Sequence, residues 1–476
     1  MPSASALAVD AVPDDRALPI DKTRLDQLFS RFLNHQKILL AVSGGRDSLA
    51  LLVLAHAWTR DTEVPAVPKL VAVTVDHGLR TAAAAEAELV SGLCASYGIP
   101  HETVRIPDPA PATGVQAWAR EVRYEALEKK AREQGCTAIA TGHQADDQAE
   151  TLLMRLARGS GIDGLAAMAL ETDRREIAIL RPLLTLTRAE LTGVLQNLGI
   201  AWADDPSNDD PRFERTGFAR NAAALKDLGL LPEPLGLSAR RLADVGRAID
   251  WMLERVIRDF PECTEALQRG VYATFNLAGW RKLPVELQRR LLSHVLRQVS
   301  GETDAGTWLP RLDRLESLVD RIEQGDFRRQ TFAGCLIEAD PDALHVYREP
   351  GRQGFPVAKL EPGETALWDR RFCVGVSRDH SAPVFIRALS DPPGDDMPDI
   401  SGNCSNRLPA AARAAVPAFW RNDETLLAVP QLNHSAPGYD IQTSHSWTPE
   451  TGSGVWSCPP SCTERAAAGG QSGTNK

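Results

Sequence analysis

Six residues between two apolar segments have the composition of a phosphate-binding loop. They are Ser43-Gly44-Gly45-Arg46-Asp47-Ser48, and they stand between the apolar run 38–42 and the apolar stretch 49–57. Glycines allow a backbone to approach a ligand closely, and the N–H groups of a first helical turn point toward an anion. The ending Gly-Lys-Ser/Thr of the Walker motif is missing, so the loop predicts a nucleotide site of another type.

A second polar group follows the apolar run 138–141. His143, Asp147 and Glu150 are spaced i, i+4 and i+7, so on a helix they share a face distinct from the apolar positions 145, 149, 152, 153 and 156. Carboxylates here could hold Mg²⁺ against phosphates, or orient and deprotonate an amine. Acids in a first turn also complement the helix dipole, which is sufficient for Asp146 but not for the whole group. A zinc site from the three residues lacks a further ligand.

Two other segments contain arginines that could either bind a phosphate or have a structural role. Asp76 ends an apolar run and is followed by Arg80, which suits either a phosphate contact or a capped turn. Arg120 and Arg123 share a helix face, where they could clamp a phosphate or pair with neighbouring glutamates.

Turn chemistry dominates the segment Asp205-Pro206-Ser207-Asn208. Arg212 and Arg215 follow it closely, and arginines in that place could serve a polyanion such as a nucleic acid.

The elements that must position these residues alternate along the first half of the chain. Short apolar runs lie at 38–42, 70–75, 103–106, 138–141 and 177–180, with amphipathic stretches at 47–58, 82–97, 115–133, 145–157 and 187–198. This alternation predicts an α/β domain with a parallel sheet and helices on both faces. Because ligands bind beyond the carboxyl ends of such strands, the motifs above should converge at one edge.

The remainder of the chain predicts a different organisation. Helical patterns at 238–259, 284–299 and 309–323 precede a strand pair at 331–338 and 343–347, and short strands follow at 365–368, 372–376 and 426–429. We predict a catalytic domain at 20–220, a mainly helical domain at 221–348, a small β-rich domain at 355–432 and a disordered tail at 433–476.

Charge and cysteine content narrow the function classes. The net charge of −10 argues mildly against a nucleic-acid partner, but Arg281, Lys282, Arg289, Arg290 and Arg297 form a local basic cluster that could be either a binding face or a solvated helix face. The eight cysteines form no framework, which suits a reducing cytoplasm. Neither an export signal nor a stretch suited to a membrane span is recognisable.

Taken in order, seven motifs resemble those of the tRNA(Ile)-lysidine synthetase family of PP-loop ATP pyrophosphatases. The resemblance covers residues 37 to about 220, and it is specific because all seven occur together. The motifs are SGGRDS at 43–48, VDHGLR at 75–80, ARxxRY at 119–124, GHQADDQAET at 142–151, RGSGIDGL at 158–165, RPLL at 181–184 and DPSN at 205–208.

The resemblance implies an ATP- and Mg²⁺-dependent ligase. It implies that free lysine is joined to C2 of the wobble cytidine of an isoleucine tRNA with a CAU anticodon, through an adenylated base, with release of AMP and pyrophosphate. The implied catalytic residues are Asp47 (also the metal ligand), His143, Asp147 and Glu150, and those for ATP are Ser43, Gly44, Gly45, Arg46, Asp47, Ser48, Asp76, Arg80 and Arg123. For tRNA the candidates are Arg181, Asn208, Arg212 and Arg215, and the local basic cluster adds Lys282, Arg289 and Arg290. A homodimer is left open.

Two alternatives remain at this point. One is another PP-loop tRNA enzyme such as a 2-thiocytidine synthetase, although the Cys-x-x-Cys that cluster-dependent thiolating enzymes need is missing. The other is a non-catalytic protein that binds ATP or RNA, against which the acids Asp47, Asp147 and Glu150 argue.

Overall fold

The chain forms two compact units, Met1–Ala248 and Ile249–Lys476. The computed structural model describes residues 18–62, 66–76, 83–106, 115–203, 217, 221–260, 271–301, 311–352, 354–378, 380–389, 409–413, 415–432, 434–435 and 441–445. Most of the predicted helical domain and all of the predicted β-rich domain lie in the second unit, and their separation stays a prediction.

The first unit alternates strands and helices, as its sequence predicts. Its elements are α1 (Lys22–Phe29), β1 (Lys37–Ala41), α2 (Arg46–Asp61), β2 (Lys69–Asp76), α3 (Ala83–Ser96), β3 (His101–Arg105), α4 (Val115–Glu133), β4 (Ala138–Ala140), α5 (Ala145–Ala157), α6 (Ile162–Leu165), β5 (Glu171–Arg174), β6 (Ile177–Leu180), α7 (Arg188–Asn197), α8 (Ala222–Asp227) and α9 (Pro232–Arg258), which runs past the boundary into the second unit.

One six-stranded sheet organises this unit, in the order β3-β2-β1-β4-β6-β5. Strands β1, β2, β3, β4 and β6 are parallel, and β5 adds an antiparallel edge. The predicted α/β fold with a parallel sheet is therefore confirmed.

Helices cover both faces of the sheet because successive side chains of β1 point in opposite directions. Ile38 and Leu40 belong to the core formed with α2, α3 and α7, whereas Leu39 joins a second core with Tyr124 and Leu127 of α4. Strands buried on both faces read as continuous apolar runs, which is why the sequence reveals them.

Strand β5 is not apparent from the sequence. Its residues, Glu171-Thr172-Asp173-Arg174, are polar, and none of them is buried. A two-residue turn of Arg175 and Glu176, both at positive φ (47° and 69°), joins it to β6, in the manner of a type I′ hairpin.

In the described part of the second unit, the strands form three antiparallel sheets. A four-stranded sheet, β7-β10-β9-β8, comes first, followed by β11-β14-β15-β16-β17 and by β12-β13-β18. The elements are β7 (Tyr272–Asn276), α10 (Leu277–Trp280), α11 (Val285–Ser300), α12 (Leu312–Glu323), β8 (Arg329–Phe332), β9 (Cys335–Ala339), β10 (Ala343–Arg348), β11 (Ala358–Leu360), β12 (Thr365–Trp368), β13 (Phe372–Val376), β14 (Val384–Ala388), α13 (Ala410–Arg413), β15 (Pro417–Trp420), β16 (Leu426–Val429), β17 (His434–Ser435) and β18 (Ile441–His445).

The last strand corrects the prediction of a disordered tail from residue 433. Strand β18 pairs with β13 over five residues, from Phe372 opposite His445 to Val376 opposite Ile441. Composition averaged over the Ser/Gly/Thr/Pro-rich tail conceals this short segment with β-branched Ile441 and Thr443.

No helix among the described residues is both long and apolar enough to cross a membrane.

Candidate functional site

The loop of residues 43–48, called the PP-loop below, joins β1 to α2. Helix α2 begins at Arg46, and its N-cap Gly45 offers no side chain to cap the first turn. The Ser48 hydroxyl holds the loop instead: its one proton is shared between the carbonyl oxygens of Ser43 and Gly45 (2.9 Å to Gly45), and its oxygen accepts from the Ser43 N–H at 2.9 Å. The loop is thus fixed by its own serine, which leaves the first-turn N–H groups for an anion.

Helix α3 lies directly against the PP-loop. A Cβ added to Gly44 would be 2.7 Å from the Cβ of Glu86 and 2.9 Å from its Cγ. A side chain at position 44 would therefore displace α3, which gives this glycine a packing reason in addition to its phosphate-binding one.

The loop between β4 and α5 also contacts the PP-loop. A Cβ on Gly142 would lie 2.7 Å from the carbonyl oxygen of Asp47 and 3.0 Å from the backbone nitrogen of Ser48. The backbone that leads into the acidic helix therefore touches the first turn of α2. The two motifs meet at the carboxyl edge of the sheet, where the sequence predicts them to converge.

A third segment reaches the same loop. The Ala203 N–H donates to the Gly44 carbonyl at 2.8 Å, and Ala203 forms a parallel bridge with Gly45. Asp205 follows two residues later. The predicted residues Asn208, Arg212 and Arg215, like Arg80, lie outside the described residues.

Helix α5 begins at the predicted residue, and Asp147 helps to start it. Gln144 is the N-cap: its side chain accepts from the Asp146 N–H at 2.6 Å, and its own N–H donates to Asp147 Oδ2 at 3.0 Å. His143 precedes this cap, so it does not lie on the helix as the i, i+4, i+7 spacing assumes. Its Nδ1 lies 2.8 Å from the Thr141 hydroxyl, which orients the ring.

Asp146 and Glu150 connect α5 to α7. Asp146 Oδ2 accepts from the Arg188 N–H at 2.9 Å, so the acid caps the neighbouring helix. Glu150 is buried, with 8% of its surface exposed, and its Oε1 lies 3.8 Å from Arg188 Nη2. The two carboxylates of Asp147 and Glu150 therefore lie in the first and second turns of α5.

Asp47 has a carboxylate suited to a metal held mainly by phosphates. Its Oδ1 pairs with Arg46 Nε at 2.9 Å, while its Oδ2 makes no hydrogen bond within the part of the chain that the structure describes. The described residues also contain no group of three or more His, Cys, Asp or Glu that could hold a metal. Mg²⁺ commonly takes one or two carboxylates together with substrate phosphates, so Asp47 fits that ion without a protein cage.

Asp76 ends β2, the strand beside β1, so it stands at the same sheet edge as the PP-loop. Its Oδ2 lies 3.8 Å from Arg105 Nε.

The predicted arginines of α4 lie on its surface. Arg123 is exposed, and the Arg120 guanidinium lies 5.2 Å from the centre of the Tyr124 ring.

The glutamates of α4 pair with arginines of the β5–β6 hairpin. Glu121 pairs with both Arg174 and Arg175, and Glu125 lies 3.5 Å from Arg175. The hairpin is thereby held against the helix.

Arg181, predicted to bind tRNA, is buried and bonded within the protein. It is 8% exposed, and its Nη1 donates to the Ala169 carbonyl at 2.9 Å and to the Thr172 hydroxyl at 3.1 Å. Burial is the main cause of a pKa below the usual value for this guanidinium. The side chain holds the segment that enters β5, and its role in tRNA binding stays a prediction.

Two arginines of the predicted basic cluster in the second unit pair with acids of the protein. Arg290 donates to Glu286 at 2.9 Å and to Asp250 at 2.7 Å, and Arg289 lies 3.2 Å from Glu316. These arginines join α11 to its neighbours, so their charge is largely neutralised within the protein. Lys282 is exposed, but it lies in the turn before α11, outside the helix.

Two other residues shape the site but belong to no sequence pattern that would predict their contacts. Gln148 exchanges two hydrogen bonds with the Met168 backbone (2.7 and 2.8 Å), and Arg155 donates to the carbonyls of Gly164 and Ala167 at 2.8 and 2.9 Å. Both fold the segment after α5 back onto that helix. Their partners are 9 to 20 residues away, which spacing on one helix cannot reveal.

Comparisons with known proteins extend this picture. Residues 18–223 match the PP-loop domain family. The protein named tRNA(Ile)-lysidine synthase of Rhodopseudomonas palustris is 40% identical over 346 residues, which cover 70% of this chain and 97% of that protein. The protein of the same name from Ruegeria pomeroyi is 34% identical over 424 residues, covering 88% and 92%. Similarity thus continues from the PP-loop domain into the second unit.

Proposed function

The chain belongs to the tRNA(Ile)-lysidine synthase family, and from that membership we propose that it joins free lysine to C2 of the wobble cytidine in an isoleucine tRNA with a CAU anticodon. The observation that carries the proposal is the contact of Gly142 with the Asp47 backbone, which brings the PP-loop and the acidic helix to one place. A phosphate site beside a carboxylate pair suits a reaction in which an adenylate forms and an amine then displaces it.

In the first half of the reaction, the cytosine O2 attacks the α phosphate of ATP and pyrophosphate leaves. The N–H groups of Gly44, Gly45 and Ser48 stabilise charge on the phosphates, an arrangement made in advance by the Ser48 hydrogen bonds. Asp47 would hold Mg²⁺ together with phosphate oxygens, and the ion would there neutralise further charge. Asp76, Arg80 and Arg123 are assigned to ATP in the same proposal.

In the second half, the side-chain amine of lysine forms a bond to C2 and AMP leaves with the C2–O2 bond's electrons. The amine must lose a proton to act as a nucleophile. Asp147 and Glu150 bind and orient the ammonium, and His143, oriented by Thr141, is the third member of the proton-accepting group.

The target base must leave its stack to reach such a site, and an anticodon loop offers an unpaired cytosine. Asn208, Arg212, Arg215 and the exposed Lys282 remain the proposed tRNA contacts. The cytoplasm, where tRNA is modified, is the proposed compartment, and the homodimer stays open to measurement by sedimentation.

Pyrophosphate release tests this function, measured with ATP, lysine and a tRNA(Ile) transcript, each omitted in turn. We expect steady-state release to need both lysine and tRNA, because without lysine the reaction stops at the adenylated base. Asp47→Ala should lower this release by about 100-fold or more. Asp61→Ala, at the exposed far end of the same helix, is the matched control and should keep full turnover.

The alternatives give different results. A thiolating enzyme would modify tRNA without lysine, and a non-catalytic binding protein would release no pyrophosphate. Near-normal turnover of Asp47→Ala, with the fold intact by circular dichroism, would remove the Mg²⁺ assignment.

A further inference from the structure

Arg188 stands at the acidic helix without a role in the mechanism above. It is the first residue of α7, and its Nη2 lies 3.8 Å from Glu150 Oε1. Its side chain remains 42% exposed, and its Nε is buried without a hydrogen-bond partner among the described residues. The guanidinium is therefore close to the carboxylate pair and incompletely satisfied by the protein.

Helix packing does not explain this side chain. The link between α5 and α7 is made by the Arg188 backbone N–H to Asp146, a bond that any residue except proline could donate. The start of α7 is secured separately by a capping box of Thr187 and Glu190. A partly exposed ion pair at 3.8 Å adds little stability.

The charge of Arg188 can be explained by the charges of an amino-acid substrate. A cation beside Glu150 weakens the attraction of that carboxylate for an ammonium group. A site that bound only an ammonium group would therefore bind it better without Arg188. An amino acid differs from a simple amine in carrying a carboxylate as well. A planar guanidinium is the group best shaped to bind one with paired hydrogen bonds.

We propose that Arg188 binds the α-carboxylate of the amino-acid substrate while Asp147 and Glu150 hold its side-chain amine. Opposite charges are then matched at both ends of the substrate, because the acids meet the side-chain ammonium and Arg188 meets the α-carboxylate. Arg188 then selects an amino acid over a diamine of similar length. This inference rests on the proposed lysine ligation.

The test compares L-lysine with two analogues that lack the carboxylate charge, lysinamide and cadaverine. The KM for lysine is measured by tRNA-dependent pyrophosphate release, and each analogue is titrated as a competitor of lysine, so that its own reactivity does not matter. Wild-type protein should bind both analogues about 10- to 100-fold more weakly than lysine. In Arg188→Met, the lysine KM should rise to about the inhibition constants of the two analogues.

Arg24→Met is the matched control. The Arg24 side chain is 43% exposed, against 42% for Arg188, and it pairs with Glu190 of α7 at 2.9 Å, but it belongs to α1. It should leave the preference for lysine unchanged.

Two results would overturn the inference: equal affinity of the wild-type protein for lysine and lysinamide, or an Arg188→Met variant that weakens lysine and both analogues by the same factor. If the wild-type protein shows no lysine-dependent turnover at all, the proposed function itself fails instead.

Discussion

At the scale of single residues, the acids of the candidate site also hold the local structure. Asp147 closes the capping box of α5, and Asp146 receives the first N–H of α7. Each of these bonds needs an acceptor oxygen but no full negative charge. Substitution can therefore separate the placement of a side chain from its electrostatic effect.

Asp147→Asn should raise the KM for lysine by about 10- to 100-fold while ATP binding is largely kept. Asparagine retains an oxygen for the Gln144 N–H but loses the charge that attracts an ammonium. Steady-state kinetics with lysine varied, together with ATP titration, measure the two effects.

Asp147→Ala separates the structural contribution. It loses the capping bond as well as the charge, so it should also lower the free energy of unfolding by about 0.5–2 kcal/mol. If Asp147→Asn leaves the lysine dependence unchanged and weakens ATP instead, Asp147 belongs with the metal.

The sequence predicted part of this arrangement. Residue types and spacing identified the acidic group, because a helix of 145–157 was recognisable from its apolar positions. The partners of these residues were not predictable: Arg188 is 42 residues from Asp146, and only the fold brings α7 beside α5. His143 was misplaced because the i, i+4, i+7 spacing was extended to a residue that precedes the N-cap of the helix.

At the scale of elements, the order of strands explains why distant motifs share one site. β1 and β4 are neighbours in the sheet, so the loops that leave them are adjacent at its carboxyl edge. Gly142 allows these loops to touch, since its missing side chain leaves room for the Asp47 carbonyl.

Gly142→Ala should lower turnover by about 100-fold with little change in overall fold. The new Cβ would lie 2.7 Å from a backbone oxygen, so the first turn of α2 or the loop before α5 must shift, and misplacement of reacting groups by about 1 Å is costly. Pyrophosphate release and circular dichroism measure the two parts.

Gly193→Ala is the control for adding a methyl group. It lies inside α7, and nothing is within 4 Å of its added Cβ, so it should keep activity and stabilise the helix by up to about 1 kcal/mol. Full activity of Gly142→Ala would mean that the contact between the loops does not position the reaction.

Elements buried on both sides were predictable from the sequence, and polar or edge elements were not. The predicted helices 115–133 and 145–157 match α4 and α5, because apolar stripes define them. Strand β5 escaped prediction because all four of its residues are polar. Strand β18 escaped because its residues are mostly polar and its partner β13 is remote in sequence.

At the scale of the whole molecule, a net charge of −10 requires that any tRNA-binding surface be local. The cluster 281–297 looked suitable, because sequence shows where cations concentrate but not which acids face them. Asp250 and Glu316 come from other helices and meet Arg290 and Arg289. Exposed cations, rather than dense clusters, are therefore the candidates for phosphate contacts.

Substitutions of Arg290 and Lys282 should have opposite effects: one on stability, the other on tRNA binding. Arg290→Met should lower the stability of the second unit by about 1–2 kcal/mol, because its side chain is 11% exposed and bonds to both Glu286 and Asp250, and it should leave the salt dependence of tRNA binding unchanged. Lys282→Ala should keep stability, and if Lys282 contacts a phosphate it lowers the slope of log K against log salt by about 0.7–0.9. Thermal unfolding and tRNA titrations between low and moderate salt measure both quantities. A reduced slope for Arg290→Met at unchanged stability would return the arginine to the tRNA surface, and the ion pairs with Glu286 and Asp250 would then be broken when tRNA binds.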